Sequence, residues 1–226
     1  MADFVHLRRA AEWGHPAIAI TDHGVMYGVV DFYEQCKKDE IRPIIGCEVY
    51  VAPNGRFSKN QREDKRSYHL ILLAETNEGL RNLNRLVSAG FTEGFYYKPR
   101  IDRELLRANH TGLIALSSCL SGEVARRLLN GDPDGAKAAA LWYQETMGPE
   151  HYYLELQANG LEAQKLVNAQ LIELSHATGI PLVATNDCHY MYQEDAKAHE
   201  VLLCMQTGKK LSDPDRMRME TDQYYV

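Results

Sequence analysis

The chain reads as an α/β protein whose strands build a parallel sheet able to close into a barrel. Three observations predict it. Short apolar runs alternate with helical patterns along the 226 residues, the rhythm of βαβ units. Two of those runs turn polar at their C-terminal ends: Ala17–Ile20 leads into Thr21-Asp22-His23-Gly24, and Pro181–Ala184 leads through Thr185 into Asn186-Asp187-Cys188-His189. In parallel α/β folds functional residues gather at such strand ends, where loops vary while the sheet holds them in place. The composition, 45% hydrophobic and 25% charged over this length, is enough to bury one core of barrel size.

Each element follows from its local pattern. Phe4, Val5, Leu7, Ala10, Ala11 and Trp13 recur at mixed helical spacing before Gly14 and Pro16 stop them, so a helix over Ala2–Gly14 opens the chain. The strand Ala17–Ile20 comes next, then a helix from about Met26 to Lys38 and a strand Pro43–Val51 that carries Glu48. Asn54–Ser67 holds five basic and two acidic side chains with almost no apolar anchor, and reads as a plain solvated loop. Tyr68–Ala74 (YHLILLA) is a strand, and Leu80, Leu83 and Leu86 line one face of a helix over Asn77–Ala89. Further on, helices are predicted near Asp102–Ala108, after Ser121, and over Asp134–Thr146, Leu161–Thr178 and Glu194–Gln206. Strands are predicted over Leu113–Ser117, Tyr152–Leu156 and Pro181–Thr185. Six strands result.

Charge and cysteine usage narrow the function classes. A formal net charge of -6 argues against coating nucleic acid by bulk positive charge and leaves any such contact local. No apolar run approaches the roughly 20 residues of a membrane helix, and MADFVHLRRAAEW lacks the continuous apolar stretch of a signal peptide. A cytoplasmic location is expected. Five cysteines, Cys36, Cys47, Cys119, Cys188 and Cys204, are widely spaced with no CxxC pair, which disfavours a disulfide framework and a zinc knuckle and predicts reduced thiols.

The chemistry-bearing residues cluster on this map. His23 follows the first strand, Glu48 and His69 lie within strands, Cys119 follows Leu113–Ser117, and Asp187 and His189, two apart at a strand end, point the same way. His6, His15, His110, His151 and His176 fall in helices or polar connections and read as surface or capping residues. A single His, Cys or Glu in a strand is more often satisfied in the core than a ligand; six at strand positions shift the balance. Imidazoles, carboxylates and one thiolate together favour Zn²⁺ or Mn²⁺, with Fe²⁺ behind them, over the all-oxygen sites of Ca²⁺ and Mg²⁺.

The stretches AIAITDHGVMYGVVDFYEQCKK, RPIIGCEVYVAP, GFTEGFYYKPRID, GLIALSSCLSGEV, PLVATNDCHY and AHEVLLCMQTGK closely resemble the polymerase and histidinol phosphatase (PHP) domain in the form that opens bacterial DNA polymerase III alpha subunits. TDHG and NDCHY are shared in kind with other PHP phosphoesterases, whereas GFTEGFYYKPRID, SSCLSGE and HEVLLCMQTG look particular to the replicative polymerases. The resemblance implies a distorted (β/α) barrel over residues 1–210, with 211–226 starting the connection to polymerase domains. It places the family's metal ligands on His23, Glu48, His69, Cys119, Asp187 and His189, with Asp187, His189 and His23 in catalysis. It implies metal-dependent phosphoester hydrolysis of the 3′-5′ exonuclease type, with DNA and other replicase subunits as partners. The family's first strand, with its His-x-His pair, has no counterpart before Trp13. The expectation is therefore a barrel lacking that strand, reduced metal occupancy, and little or no exonuclease activity. Two other readings stand beside it: a non-catalytic support of the polymerase, and a free-standing PHP phosphatase acting on a small phosphate ester.

Overall fold

Every strand but one runs the same way. The computed structural model describes residues 5–62, 64 and 66–226, so Ala2–Phe4 of the predicted first helix, and Glu63 and Lys65 of the predicted loop, lie outside the described residues. The elements are α1 (Val5–Glu12), β1 (Ala17–Ile20), α2 (Val29–Lys38), β2 (Arg42–Val51), β3 (Tyr68–Ala74), α3 (Asn77–Thr92), β4 (Arg100–Ile101), α4 (Arg103–Ala108), β5 (Leu113–Leu116), α5 (Glu123–Leu129), α6 (Pro133–Met147), β6 (Tyr152–Gln157), α7 (Glu162–Thr178), β7 (Leu182–Thr185) and α8 (Ala196–Thr207). The strands form one seven-stranded sheet in the order β1-β2-β3-β5-β6-β7, with β4 beside β2. β1/β2, β2/β4, β5/β6 and β6/β7 are parallel, while β3 is antiparallel to both β2 and β5.

The expected all-parallel sheet of six strands is thus corrected to a mixed sheet of seven. Residues 52–67 hold no helix among the described residues, and the chain returns beside β2 antiparallel, pairing Tyr68 with Val51. β4 is only two residues long, below the length at which alternation can be read. The sheet is strongly curled. Laid flat, five strand spacings would hold β1 and β7 about 24 Å apart, yet the rings of His23 and His189, just beyond those two strands, are 6.3 Å apart between centroids.

Local chemistry sets the helix ends. The side chains of Thr76, Asp102 and Asp132 accept from the N–H groups of Gly79, Leu105 and Gly135 at the starts of α3, α4 and α6, satisfying donors the first turn leaves open. The main core lies between the sheet and helices α3 to α7, with Leu72, Leu83, Leu86, Leu106, Ala115, Leu154, Val167 and Leu171 fully buried. A smaller cluster of Leu7, Ala10, Phe32, Cys36 and Ile41 seats α1 and α2 against β1.

The segment between β2 and β3 is not the plain solvated loop its charges suggest. Arg100 is 0% exposed, and its guanidinium donates to the carbonyls of Gly94 at 3.0 Å, Arg56 at 3.1 Å and Ser58 at 2.7 Å. Asp64, also 0% exposed, accepts from Asn54, Ser58 and the Asn60 amide. Arg56 pairs with Asp102 at 3.0 Å and Glu93 at 2.7 Å. Charged side chains here replace the apolar anchors the sequence lacks.

Candidate metal centre

The reversed strand explains why one rim collects all six predicted ligands. β1, β2, β5 and β7 bring their C-terminal ends to that rim. β3 runs the other way and brings its N-terminal end, where His69 is the second residue, opposite Tyr50 of β2. His69 lies within its strand, as the sequence reading placed it, and comes to the rim because that strand is reversed. Glu48 comes from within β2, and its backbone is clamped to the turn after β1: its N–H donates to Asp22 O at 3.0 Å, and its carbonyl accepts from Gly24 N at 2.9 Å. Gly24 has φ +68°, and a Cβ there would stand 2.9 Å from Pro99 and 3.0 Å from Tyr50. Only glycine fits this turn without strain.

The centre of the rim is Glu48, 5% exposed. His23 Nδ1 lies 3.2 Å from one of its oxygens and His69 Nδ1 2.5 Å from the other. The ligand atoms of these three residues all lie within 4.8 Å of one another. Ser118, which has φ +67°, donates its hydroxyl to Glu48 Oε1 at 3.2 Å. The Cys119 thiol is 3.8 Å from His69 Nδ1 and accepts from Ser121 N at 3.5 Å. On the far side, Asp187 (φ +49°) carries a carboxylate 3.9 Å from His189 Nδ1. His189 completes the ring of imidazoles, its centroid 6.3 Å from His23.

Electrostatics mark the rim as a place for positive charge. Burial alone would raise the Glu48 carboxyl, but hydrogen bonds from His23 and His69 outweigh it and hold the group at about 2. The same bond to Glu48 raises His23, against the opposing effect of its burial. Asp187 is raised, chiefly by burial and further by the charge of Glu48, with His189 the main opposing influence. Burial, and then Glu48, push the Cys119 thiol up to about 11, so a thiolate ligand would need a cation beside it. Two imidazoles and a carboxylate at this spacing fit a borderline divalent ion, with thiol and further carboxylate in reach.

Three features of the rim were not read from the sequence. Glu155, 1% exposed on β6, is raised by burial against hydrogen bonds from Thr185 and Gln157. His199 of α8 lies 5.7 Å from the His189 ring. Tyr224 packs edge-on against His189 at 5.4 Å, and its carbonyl accepts from the His189 amide at 2.7 Å. A glutamate and glutamine two apart on one face of an otherwise apolar strand, YYLELQ, was the available signal for the first. Among the histidines set aside, His110 caps α4 by contacting Arg107 O at 2.8 Å, and His151 pairs with Glu75 at 3.1 Å.

A curled α/β sheet with a polar rim of imidazoles and carboxylates at one end defines an α/β fold of the barrel class. Within that class the chain belongs to the PHP domain family, whose profile matches residues 6–159. It is 46% identical over 221 residues to the DNA polymerase III subunit alpha of Treponema pallidum, covering 97% of this chain and 19% of that protein. It is 42% identical over 227 residues to the same subunit of Borreliella burgdorferi, covering 100% and 20%, and 47% identical over 215 residues to that of Deinococcus radiodurans, covering 93% and 16%. The chain thus spans about a fifth of the length of these relatives. A solved structure of a candidate metal-dependent phosphoesterase from Bifidobacterium adolescentis aligns with TM-score 0.44 and 13% identity, over 80% of this chain and 79% of that one. No helix among the described residues is long and apolar enough to cross a membrane.

Proposed function

We propose that this chain is the PHP domain of a DNA polymerase III alpha-type replicative polymerase, and that its rim holds a divalent ion, Zn²⁺ or Mn²⁺, for phosphoester hydrolysis. The observation that carries this reading is the His23, Glu48 and His69 trio with all ligand atoms within 4.8 Å, the donor set of one ion. Cys119, Asp187 and His189 complete the ligand shell. A bound ion would supply Lewis acidity and lower the pKa of its water. Glu48 anchors the two imidazoles. Asp187 and His189 would orient the ion and its water from the far side of the rim, and His23 is the exposed imidazole that meets substrate. Its side chain is 48% exposed, against 6% for Glu48.

The partners are DNA and the other replicase subunits, as the relatives' name suggests, and the cytoplasm is the expected location. Because one close trio supplies ligands for one ion, hydrolysis is expected to be weaker than at a two-metal centre. The test is metal content by elemental analysis, beside degradation of 3′-labelled single-stranded DNA with added Mn²⁺ or Zn²⁺. Binding of one ion with slow degradation lost in Asp187→Ala supports the proposal. Binding without degradation supports the non-catalytic supporting role instead, and no binding overturns both metal readings.

A further inference from the structure

We infer that Glu155 is the positioning residue of this centre, tying the turn that carries Cys119 to the strand end that carries Asp187. The inference rests on the metal reading above. β6 lies between β5 and β7, so a side chain on its rim-facing surface can reach both neighbours. Glu155 does so while 1% exposed, and a carboxylate this deep is tolerated only where its oxygens are filled. Oε2 accepts from the Ser118 amide at 3.1 Å. Oε1 accepts from Gln157 Nε2 at 3.0 Å and from the Thr185 hydroxyl. The backbone N–H of Glu155 in turn donates to Ser117 Oγ at 2.8 Å.

What these bonds hold matters more than their number. Ser118 sits at φ +67°, a conformation a non-glycine residue keeps only when its surroundings impose it. The hydrogen bond its backbone N–H donates to Glu155 is part of that imposition. From this turn Ser118 Oγ reaches Glu48 at 3.2 Å, and Cys119 Sγ stands 3.8 Å from His69 Nδ1. On the other side Thr185 ends β7 two residues before Asp187, which is itself at φ +49°. One buried carboxylate therefore braces both left-handed turns that aim candidate ligands at Glu48. With Oε1 already accepting two donors, Glu155 aligns the ligands and does not join them.

The test uses the full chain with Co²⁺ as probe, because a cobalt–thiolate bond gives a near-ultraviolet charge-transfer band that reports Cys119 separately from the visible bands of the histidine–carboxylate set. Glu155→Gln keeps the shape but sets an amide donor against donors. It is expected to weaken Co²⁺ binding about 10- to 100-fold and to lose most of the charge-transfer band while the visible bands persist. A metal-free readout runs beside it: amide hydrogen exchange at Ser118 should speed up about tenfold or more, with Leu72 and Leu154 unchanged. An unaltered cobalt spectrum with unaltered Ser118 exchange overturns the inference, as does faster exchange throughout the core, which would mean general structural loss. If the parent chain takes up no Co²⁺, the metal reading fails by itself and Ser118 exchange alone decides whether Glu155 positions the turn. Thr185→Val, which removes only the β7 side of the brace, serves if Glu155→Gln does not fold; it should shift the exchange of Asp187 and leave that of Ser118.

Discussion

Glu48 accepts two imidazoles on one buried carboxylate, and that arrangement fixes how the site responds to substitution and to pH. Glu48→Gln keeps the volume but loses the charge that both imidazoles face at 3.2 and 2.5 Å. Mn²⁺ or Zn²⁺ affinity, measured by titration calorimetry, is expected to fall by more than about a hundredfold, since loss of a mere outer-shell partner already costs 10- to 100-fold; an unchanged affinity would remove Glu48 from the ligand set. The pH response follows from His23, whose pKa is raised by its bond to Glu48. A ligating imidazole must be deprotonated, so protons compete with the metal at a higher pH than for an ordinary histidine. Affinity should weaken steadily from about pH 8 to about pH 6, with proton release on binding; a flat profile would exclude His23 as a ligand. In the metal-free protein the sign is the opposite: the raised His23 favours folding below its unfolded pKa, and that contribution disappears as pH rises through the folded value.

At the scale of elements, most of the chain was legible because buried strands such as YHLILLA and helix faces such as Leu80, Leu83 and Leu86 carry their period in the sequence. Direction does not show in a period. β3 was read at its observed bounds, Tyr68–Ala74, yet its reversal, which carries His69 to the rim, leaves no mark in its own sequence. The six strand-position residues come to one rim, but the braces that aim them, Glu155 and the left-handed Ser118, lie in contacts between strands that one strand's sequence cannot display. The loop after β2 failed for another reason: two of its charges, Arg56 and Asp64, are buried internal partners. Arg100→Lys would strand at least two of the carbonyls now held by the guanidinium fork. It should destabilise the fold by about 2–4 kcal/mol in denaturant titrations; a loss near zero would return the loop to the solvated reading. Asp64 is held below the usual carboxylate range because hydrogen bonds from Ser58, Asn60 and Asn54 overcome its burial. Its contribution to stability is therefore present above about pH 4 and is lost as pH falls through the folded value. Gly24→Ala should cost about 1–3 kcal/mol and displace His23, read as a lower thermal midpoint with weakened metal uptake.

At the scale of the whole molecule, the curl of the sheet leaves β1 and β7 each with one strand partner among the described residues, so something else must fix the β7 end of the rim. The C-terminal residues take that place. Within residues 211–226, read from the sequence as the start of a connection to polymerase domains, Tyr224 is 5% exposed, and the residues around it are bonded across two strand ends. The Thr221 hydroxyl reaches Asn159 O beyond β6. Tyr225 O accepts from the side chains of Asn186 and Cys188, and Tyr224 O from the amide of His189 at 2.7 Å. Backbone carbonyls of the tail thus hold the residues on either side of Asp187, while the Tyr224 ring supports the His189 imidazole at 5.4 Å. A turn that keeps a non-glycine residue at positive φ needs such outside support. Removing the ring while leaving the tail backbone separates packing from bonding: Tyr224→Ala should cost roughly 3–5 kcal/mol and, at a temperature where the variant is still folded, lower metal affinity through His189. Calorimetric unfolding and metal titration on the same sample check both parts. A variant that loses stability but binds metal as before would show that the tail supports the fold and not the site.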